Sequence, residues 1–136
     1  MRRRRTFFLA VPFLLVLAAA CTSTGGEGDV VVSLRDDAVE LQPATAEAGS
    51  VTFAATNDGT VTHEIEVFRG DVDPATLPVE DNVASTEGLE LVDEIEDITP
   101  GSTADLTVEL GAGTYVVMCN LPEHFAKGMH AVLTVA

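Results

Sequence analysis

The sequence predicts an all-β fold of the β-sandwich type, on three observations. Apolar and polar residues alternate in several short runs, Gly, Pro and Asn stand at the corners between them, and one run is apolar on both faces. Alternation with period two puts every second side chain on one face of a strand, which suits a sheet packed on one side and wet on the other. Val30, Val32 and Leu34 open the fold. Val51, Phe53 and Ala55 then alternate with Thr52, Ala54 and Thr56, and Asn57-Asp58-Gly59 supplies a turn. In the run from Thr62 to Phe68, His63, Ile65 and Val67 share one face and Glu64 and Glu66 the other. Leu106, Val108 and Leu110 alternate with Asp105, Thr107 and Glu109. Gly111-Ala112-Gly113 then turns the chain into Thr114 to Cys119, the run apolar on both faces and therefore predicted to be central in a sheet. Ala131, Leu133 and Val135 mark the inward face of a closing strand.

The stretch from Gly70 to Asp97 breaks this rhythm. It holds Pro74, Pro78 and ten acidic residues, and reads as a long acidic surface excursion between two strands. Leu91, Ile95 and Ile98 fit one face of a helix or parts of an irregular edge strand, and the sequence leaves both open. There is no internal repeat.

The N-terminus has the pattern of an export signal. Arg2 to Arg5 form a positive head, and Phe7 to Ala20 is an uncharged apolar run, shorter than the ~20 residues a spanning helix needs. Residues 1–20 are therefore read as a signal peptide, residues 21–29 as a flexible tether, and residues 30–136 as the single domain. Arg4-Arg5-Thr6-Phe7-Phe8 is similar to a twin-arginine signal, and the apolar run behind it suits the general route equally well. Cys21, directly after Ala18-Ala19-Ala20, resembles the lipobox cysteine of bacterial lipoproteins, which implies a lipidated N-terminus on the outer face of the cell membrane or in the periplasm. The other reading is an ordinary signal with Cys21 incidental to it. All 22 acidic residues follow Cys21, against Arg35, Arg69 and Lys127 alone. Such a surface repels nucleic acid and anionic lipid head groups, and it either steers basic partner proteins or serves solubility.

With Cys21 lipidated, Cys119 has no disulfide partner in the chain, and an exported free thiol is open to oxidation unless it is buried or bound. Period two places Cys119 on the inward face with Tyr115 and Val117, at the point where the strand gives way to a loop. That loop, Cys119-Asn120-Leu121-Pro122-Glu123-His124-Phe125-Ala126-Lys127-Gly128-Met129, delivers His124 and Met129. His63 begins the inward face of its own strand, so one thiolate, two imidazoles and a thioether are predicted to converge at one end of the sandwich. A histidine pair and a cysteine in a plane with a weak axial methionine is the set that favours a single copper ion in electron transfer. Zinc on Cys and two His is the rival, and it leaves Met129 without a role. His130, on the opposite strand face from Met129, reads as a surface or inter-sheet residue, with docking or a second metal contact as the other possibility.

The spacing Cys119-x4-His124-x4-Met129 resembles the copper loop of the cupredoxins, the small blue copper proteins, of the rusticyanin and sulfocyanin type. Thr99-Pro100-Gly101 before a strand and Gly113-Thr114-Tyr115 leading into the cysteine strand agree with it. The resemblance implies a Greek-key sandwich over roughly Val30 to Ala136, with His63, Cys119 and His124 as equatorial ligands and Met129 as the axial ligand. It implies an electron carrier rather than an enzyme, a monomer whose electrons pass by the edge of His124, with Leu121, Pro122 and Phe125 as an apolar docking rim for redox partner proteins. Asn120 flanks the cysteine within the same loop. Two positions depart from the family pattern: Glu123 stands where Gly is usual, and Glu64 where an Asn usually ties the ligand loops together. A copper carrier without an electron-transfer duty is the second functional reading; it is disfavoured because only Met118 and Met129 follow the signal. Copper catalysis needs further histidines, and the chain has three in all.

Overall fold

The computed structural model describes residues 28–136. The expected signal peptide, Cys21 and the tether up to Glu27 lie outside the described residues. Eleven strands follow in order: β1 (Val30–Arg35), β2 (Ala38–Gln42), β3 (Thr45–Ala46), β4 (Gly49–Asn57), β5 (His63–Arg69), β6 (Val79–Glu80), β7 (Val83–Ala84), β8 (Glu90–Ile98), β9 (Thr103–Leu110), β10 (Gly113–Met118) and β11 (His130–Val135). Two 3-10 turns, Pro74–Thr76 and Phe125–Lys127, complete the secondary structure, and no α-helix occurs among the described residues.

The strands form a four-stranded sheet in the order β2-β1-β4-β9 and a five-stranded sheet in the order β3-β11-β10-β5-β8, with β6-β7 as a separate small hairpin. β4 and β5 are consecutive in the chain yet lie in different sheets, as do β8 and β9. These crossings make the sandwich that the alternation predicts, with the Greek-key form that the cupredoxin resemblance implies. The period-two faces meet in the middle: Val30, Val32 and Leu34 of β1, Val51, Phe53 and Ala55 of β4, and Leu106, Val108 and Leu110 of β9 pack against Ile65, Val67, Tyr115, Val117, Leu133 and Val135 of the second sheet. Each such Val, Leu, Ile or Phe side chain withdrawn from water contributes roughly 1.5–3 kcal/mol.

β10 is buried on both faces because a second apolar cluster covers its outer side. Phe68, Val116, Met118 and Phe125 pack there with Ala84 of the β6-β7 hairpin, and Leu77 and Leu89 lean on them. The first half of the acidic excursion is thus the cover of this outer face. Its second half is a nine-residue edge strand, β8, which resolves the ambiguity at Leu91, Ile95 and Ile98 in favour of the strand. Register shifts interrupt the β5-β8 pairing, and Asp97 has a positive φ of 56°. The irregularity turns Ile95 and Ile98, three residues apart, to the same side, opposite Ile65 and His63. Leu91 stays exposed. Bulges and a row of carboxylates blunt an edge that would otherwise offer unpaired backbone to another chain.

Candidate metal centre

The donor side chains gather where β5 begins and β10 ends. His63 is the first residue of β5, and its imidazole is fully buried, opposite Ile98 of β8. Cys119 directly follows β10 and is equally buried. His63 Nδ1, Cys119 Sγ and His124 Nδ1 all lie within 4.8 Å of one another. The separations are 3.9 Å from Cys119 Sγ to His63 Nδ1, 3.3 Å to His124 Nδ1, and 3.1 Å between the two imidazole nitrogens. Metal bonds of about 2.0–2.3 Å in a trigonal plane set donors roughly 3.5–3.8 Å apart, so one ion fits among these three atoms with small adjustments. Met129 is fully buried in the same apolar cluster as Cys119. The structure thus brings together the four side chains the sequence singled out.

The loop from Cys119 to Met129 is closed on itself. Cys119 N–H donates to the Met129 carbonyl at 3.0 Å, and Met129 N–H donates to the His124 carbonyl at 3.3 Å. A 3-10 turn at Phe125–Lys127 follows His124, and Gly128 ends it with φ 111°, a conformation an L side chain rarely adopts. Glu123 also has a positive φ, 72°, and its N–H donates to the Asn82 carbonyl at 2.8 Å. That backbone explains why Gly is usual at this position, because a Cβ is strained in the left-handed region. Glu123 and Lys127 form an exposed 3.7 Å pair, of a kind worth little in water.

Four side chains brace this loop and the segment that carries His63. Glu64 Oε1 accepts from Asn120 N–H at 3.2 Å, so Glu64 does tie the two ligand segments together in place of the usual Asn. The Asn120 side chain holds the β6-β7 hairpin, taking the Ala84 N–H at 2.7 Å and donating to the Ala84 carbonyl at 3.2 Å. Asn57, buried at the end of β4, donates to the carbonyls of Val61 and Ile98 and accepts from Gly59 N–H, which pins the loop leading into His63. Asp36 touches His63 itself, with its Oδ1 3.1 Å from Nε2. Neither Asn57 nor Asp36 stood out as a site residue in the sequence, because their partners lie far along the chain or on the backbone.

Of the expected docking rim, Pro122 is exposed and Leu121 half-buried. Phe125 corrects the expectation: only 4% exposed, it sits in the outer cluster with Phe68, Val116 and Met118 and supports the loop from beneath. His130 packs on it with ring centroids 4.7 Å apart and, among the described residues, belongs to no group of metal-ligating side chains.

Burial pushes the Cys119 thiol up, with the charges of Glu64 and Glu66 adding to the effect, so metal binding here displaces a proton from sulfur. Burial, and then the neighbouring His63, push His124 down, which keeps its ring neutral and able to bind a metal. Hydrogen bonds from the Thr60 hydroxyl and then the Thr60 N–H pull Asp36 down to about 2.

Glu66, on the outer face of β5 between Met118 and Glu94, is pushed up to about 7 by burial and by the charges of Glu64, Glu94 and Glu96. Its Oε2 is buried without a partner among the described residues. The unfolded chain ionises this carboxyl near 4.5 and the folded protein near 7, so stability is lost as pH rises through that window. Glu66→Gln should flatten this part of the profile and stabilise the protein at pH 8 by about 1–2 kcal/mol, allowing for solvent screening. Urea unfolding of both proteins at pH 5 and pH 8 checks it, and an equal difference at the two pH values would contradict it.

Solved structures share this fold. They include auracyanin from Roseiflexus castenholzii (22% identity, TM-score 0.56, covering 78% of this chain and 94% of that one). Auracyanin A, a "blue" copper protein from Chloroflexus aurantiacus, is another (21% identity, TM-score 0.53, covering 78% and 99%). Rusticyanin from Thiobacillus ferrooxidans is a third (22% identity, TM-score 0.52, covering 79% and 75%). No curated protein matches the sequence. Residues 29–136 match the family described as copper binding proteins, plastocyanin/azurin family. Because that match runs over nearly all of the sandwich, the donor-bearing loop included, the chain belongs to the plastocyanin/azurin family of copper-binding proteins.

Proposed function

We propose that the protein is a blue copper electron carrier in which His63, Cys119, His124 and Met129 hold one copper ion. The observation that carries this reading is the meeting of His63 Nδ1, Cys119 Sγ and His124 Nδ1 within 4.8 Å, at a buried strand end, on a family member. Bound copper would supply a one-electron Cu(I)/Cu(II) couple. The chain does the rest. Cys119 offers a soft thiolate, His63 is held rigidly inside, and the Met129 thioether suits copper better than zinc. His124 is the ligand that keeps part of its ring at the surface, so it is the route by which an electron enters and leaves.

The N-terminal signal pattern and Cys21 support a location outside the cytoplasm on a lipid anchor. The excess of carboxylates supports basic redox partners whose association weakens as salt rises. The purified protein titrated with Cu(II) should take up one equivalent and show an intense thiolate-to-copper charge-transfer band in the visible. A pale spectrum, or stoichiometric preference for zinc, would overturn the reading.

A further inference from the structure

Both ring nitrogens of His63 have partners. Nδ1 faces Cys119 Sγ and His124 Nδ1, while Nε2 lies 3.1 Å from Asp36 Oδ1. Asp36 sits in the turn between β1 and β2, 27 residues upstream of His63 in the chain. Its carboxylate is aimed by two further bonds, with the Thr60 N–H donating to Oδ1 at 2.9 Å and the Thr60 hydroxyl to Oδ2 at 2.6 Å. Gly59 passes so close that a Cβ there would run into both Asp36 Oδ1 and His63 Nε2. The next residue of the same turn reaches the ligand loop, since a Cβ on Gly128 would lie 2.8 Å from the Asp37 carbonyl oxygen. One short turn therefore abuts the two segments that carry the donor side chains.

We infer that Asp36 is a positioning residue for the copper centre: its carboxylate accepts the Nε2–H of His63, fixes the tautomer that leaves Nδ1 free to bind, and favours the oxidised state. This role rests on His63 being a ligand. With Asp36 on Nε2, the ring carries its proton there, and its Nδ1 lone pair is turned toward Cys119 and His124. A carboxylate on the remote nitrogen raises the basicity of a metal-bound imidazole and holds its orientation. The His63 side chain is fully buried while the Asp36 side chain is 43% exposed, so a solvated charge is brought by a directed bond to a ring that water does not reach. Added electron density at the ring stabilises Cu(II) more than Cu(I), which lowers the reduction potential.

The test compares the copper-loaded protein with Asp36→Asn, which keeps an acceptor oxygen without the charge, and Asp36→Ala, which keeps neither. Both variants should retain the charge-transfer band, because no ligand is removed. Cu(II) affinity should fall roughly 10- to 100-fold with Cu(I) affinity changed less, and each tenfold of difference raises the potential by about 59 mV. Asp36→Glu should recover part of the shift. In the unsubstituted Cu(I) protein, nitrogen-15 NMR should show a slowly exchanging Nε2–H on His63, and this measurement decides the question even where a variant folds poorly. Unchanged potentials beside an intact band would overturn the inference, as would a His63 resonance protonated on Nδ1. A wild-type protein without the band would overturn the ligand assignment itself and, with it, this role.

Discussion

Cys119→Ser is expected to abolish the visible charge-transfer band outright and to weaken Cu(II) binding beyond the roughly 100-fold that changes behind the ligands produce. The band belongs to the sulfur–copper bond, and an alcohol is a hard, weakly acidic donor that cannot replace a soft thiolate. The fold should persist. Cys119 is one residue of a core that also contains Phe53, Ile65, Tyr115 and Leu133, and serine is similar in size. Its hydroxyl also has imidazole nitrogens nearby as partners, as the sulfur has His124 Nδ1 at 3.3 Å. Met129→Leu is the informative contrast. Leucine fills a similar volume in the same buried cluster, so colour should remain while the potential rises with the loss of a weak donor to Cu(II). Absorbance titration and voltammetry on the two variants check both outcomes. Colour retained in Cys119→Ser would mean that another residue supplies the sulfur or that the band has another origin.

What could be read in the sequence and what could not divide along a physical line. Strands whose core contacts repeat every second residue, such as Val51-Phe53-Ala55 and Leu106-Val108-Leu110, declare themselves because the period is local. The ligands declare themselves for the same reason: His63 inherits its inward direction from Ile65 and Val67, and Cys119 from Tyr115 and Val117. β8 was ambiguous because its bulge brings Ile95 and Ile98 to one side at a three-residue interval, which mimics a helical repeat. The pins of the site left no local trace. Asn57 reaches the Ile98 carbonyl across 41 residues, Asp36 reaches His63 across 27, and Asn120 reaches Ala84 across 36. Side-chain bonds to residues far along the chain have no periodicity to read. Glu64 is a case in between. Its departure from the family pattern was visible, but only the 3.2 Å bond from Asn120 N–H shows that a carboxylate performs the tying that an amide performs elsewhere.

Phe125→Ala should cost about 3–5 kcal/mol of folding stability, a value for removing a large aromatic side chain from a packed interior and not for trimming a docking surface. The ring is 4% exposed and fills the space between Phe68, Val116, Met118 and Ala84, with Leu77 and Leu89 at the margin. Phe68, Val116 and Met118 stand on the interior strands β5 and β10, but the remaining partners come from elements that are weak alone. Ala84 belongs to a two-residue strand, Leu77 follows a single 3-10 turn, and Phe125 itself opens the turn between His124 and Met129. Removing the ring therefore loosens the excursion and the ligand loop together, because the outer cluster is their shared core. Copper affinity should fall with stability, since the loop must then be ordered at the expense of binding free energy. Excess copper should recover part of the lost stability by mass action, because the metal binds the folded form. Urea unfolding of the metal-free protein, repeated with saturating copper, separates the two effects. Slower electron exchange with a partner at unchanged stability would instead place Phe125 on the docking rim, and its burial under the β6-β7 hairpin argues for the first outcome.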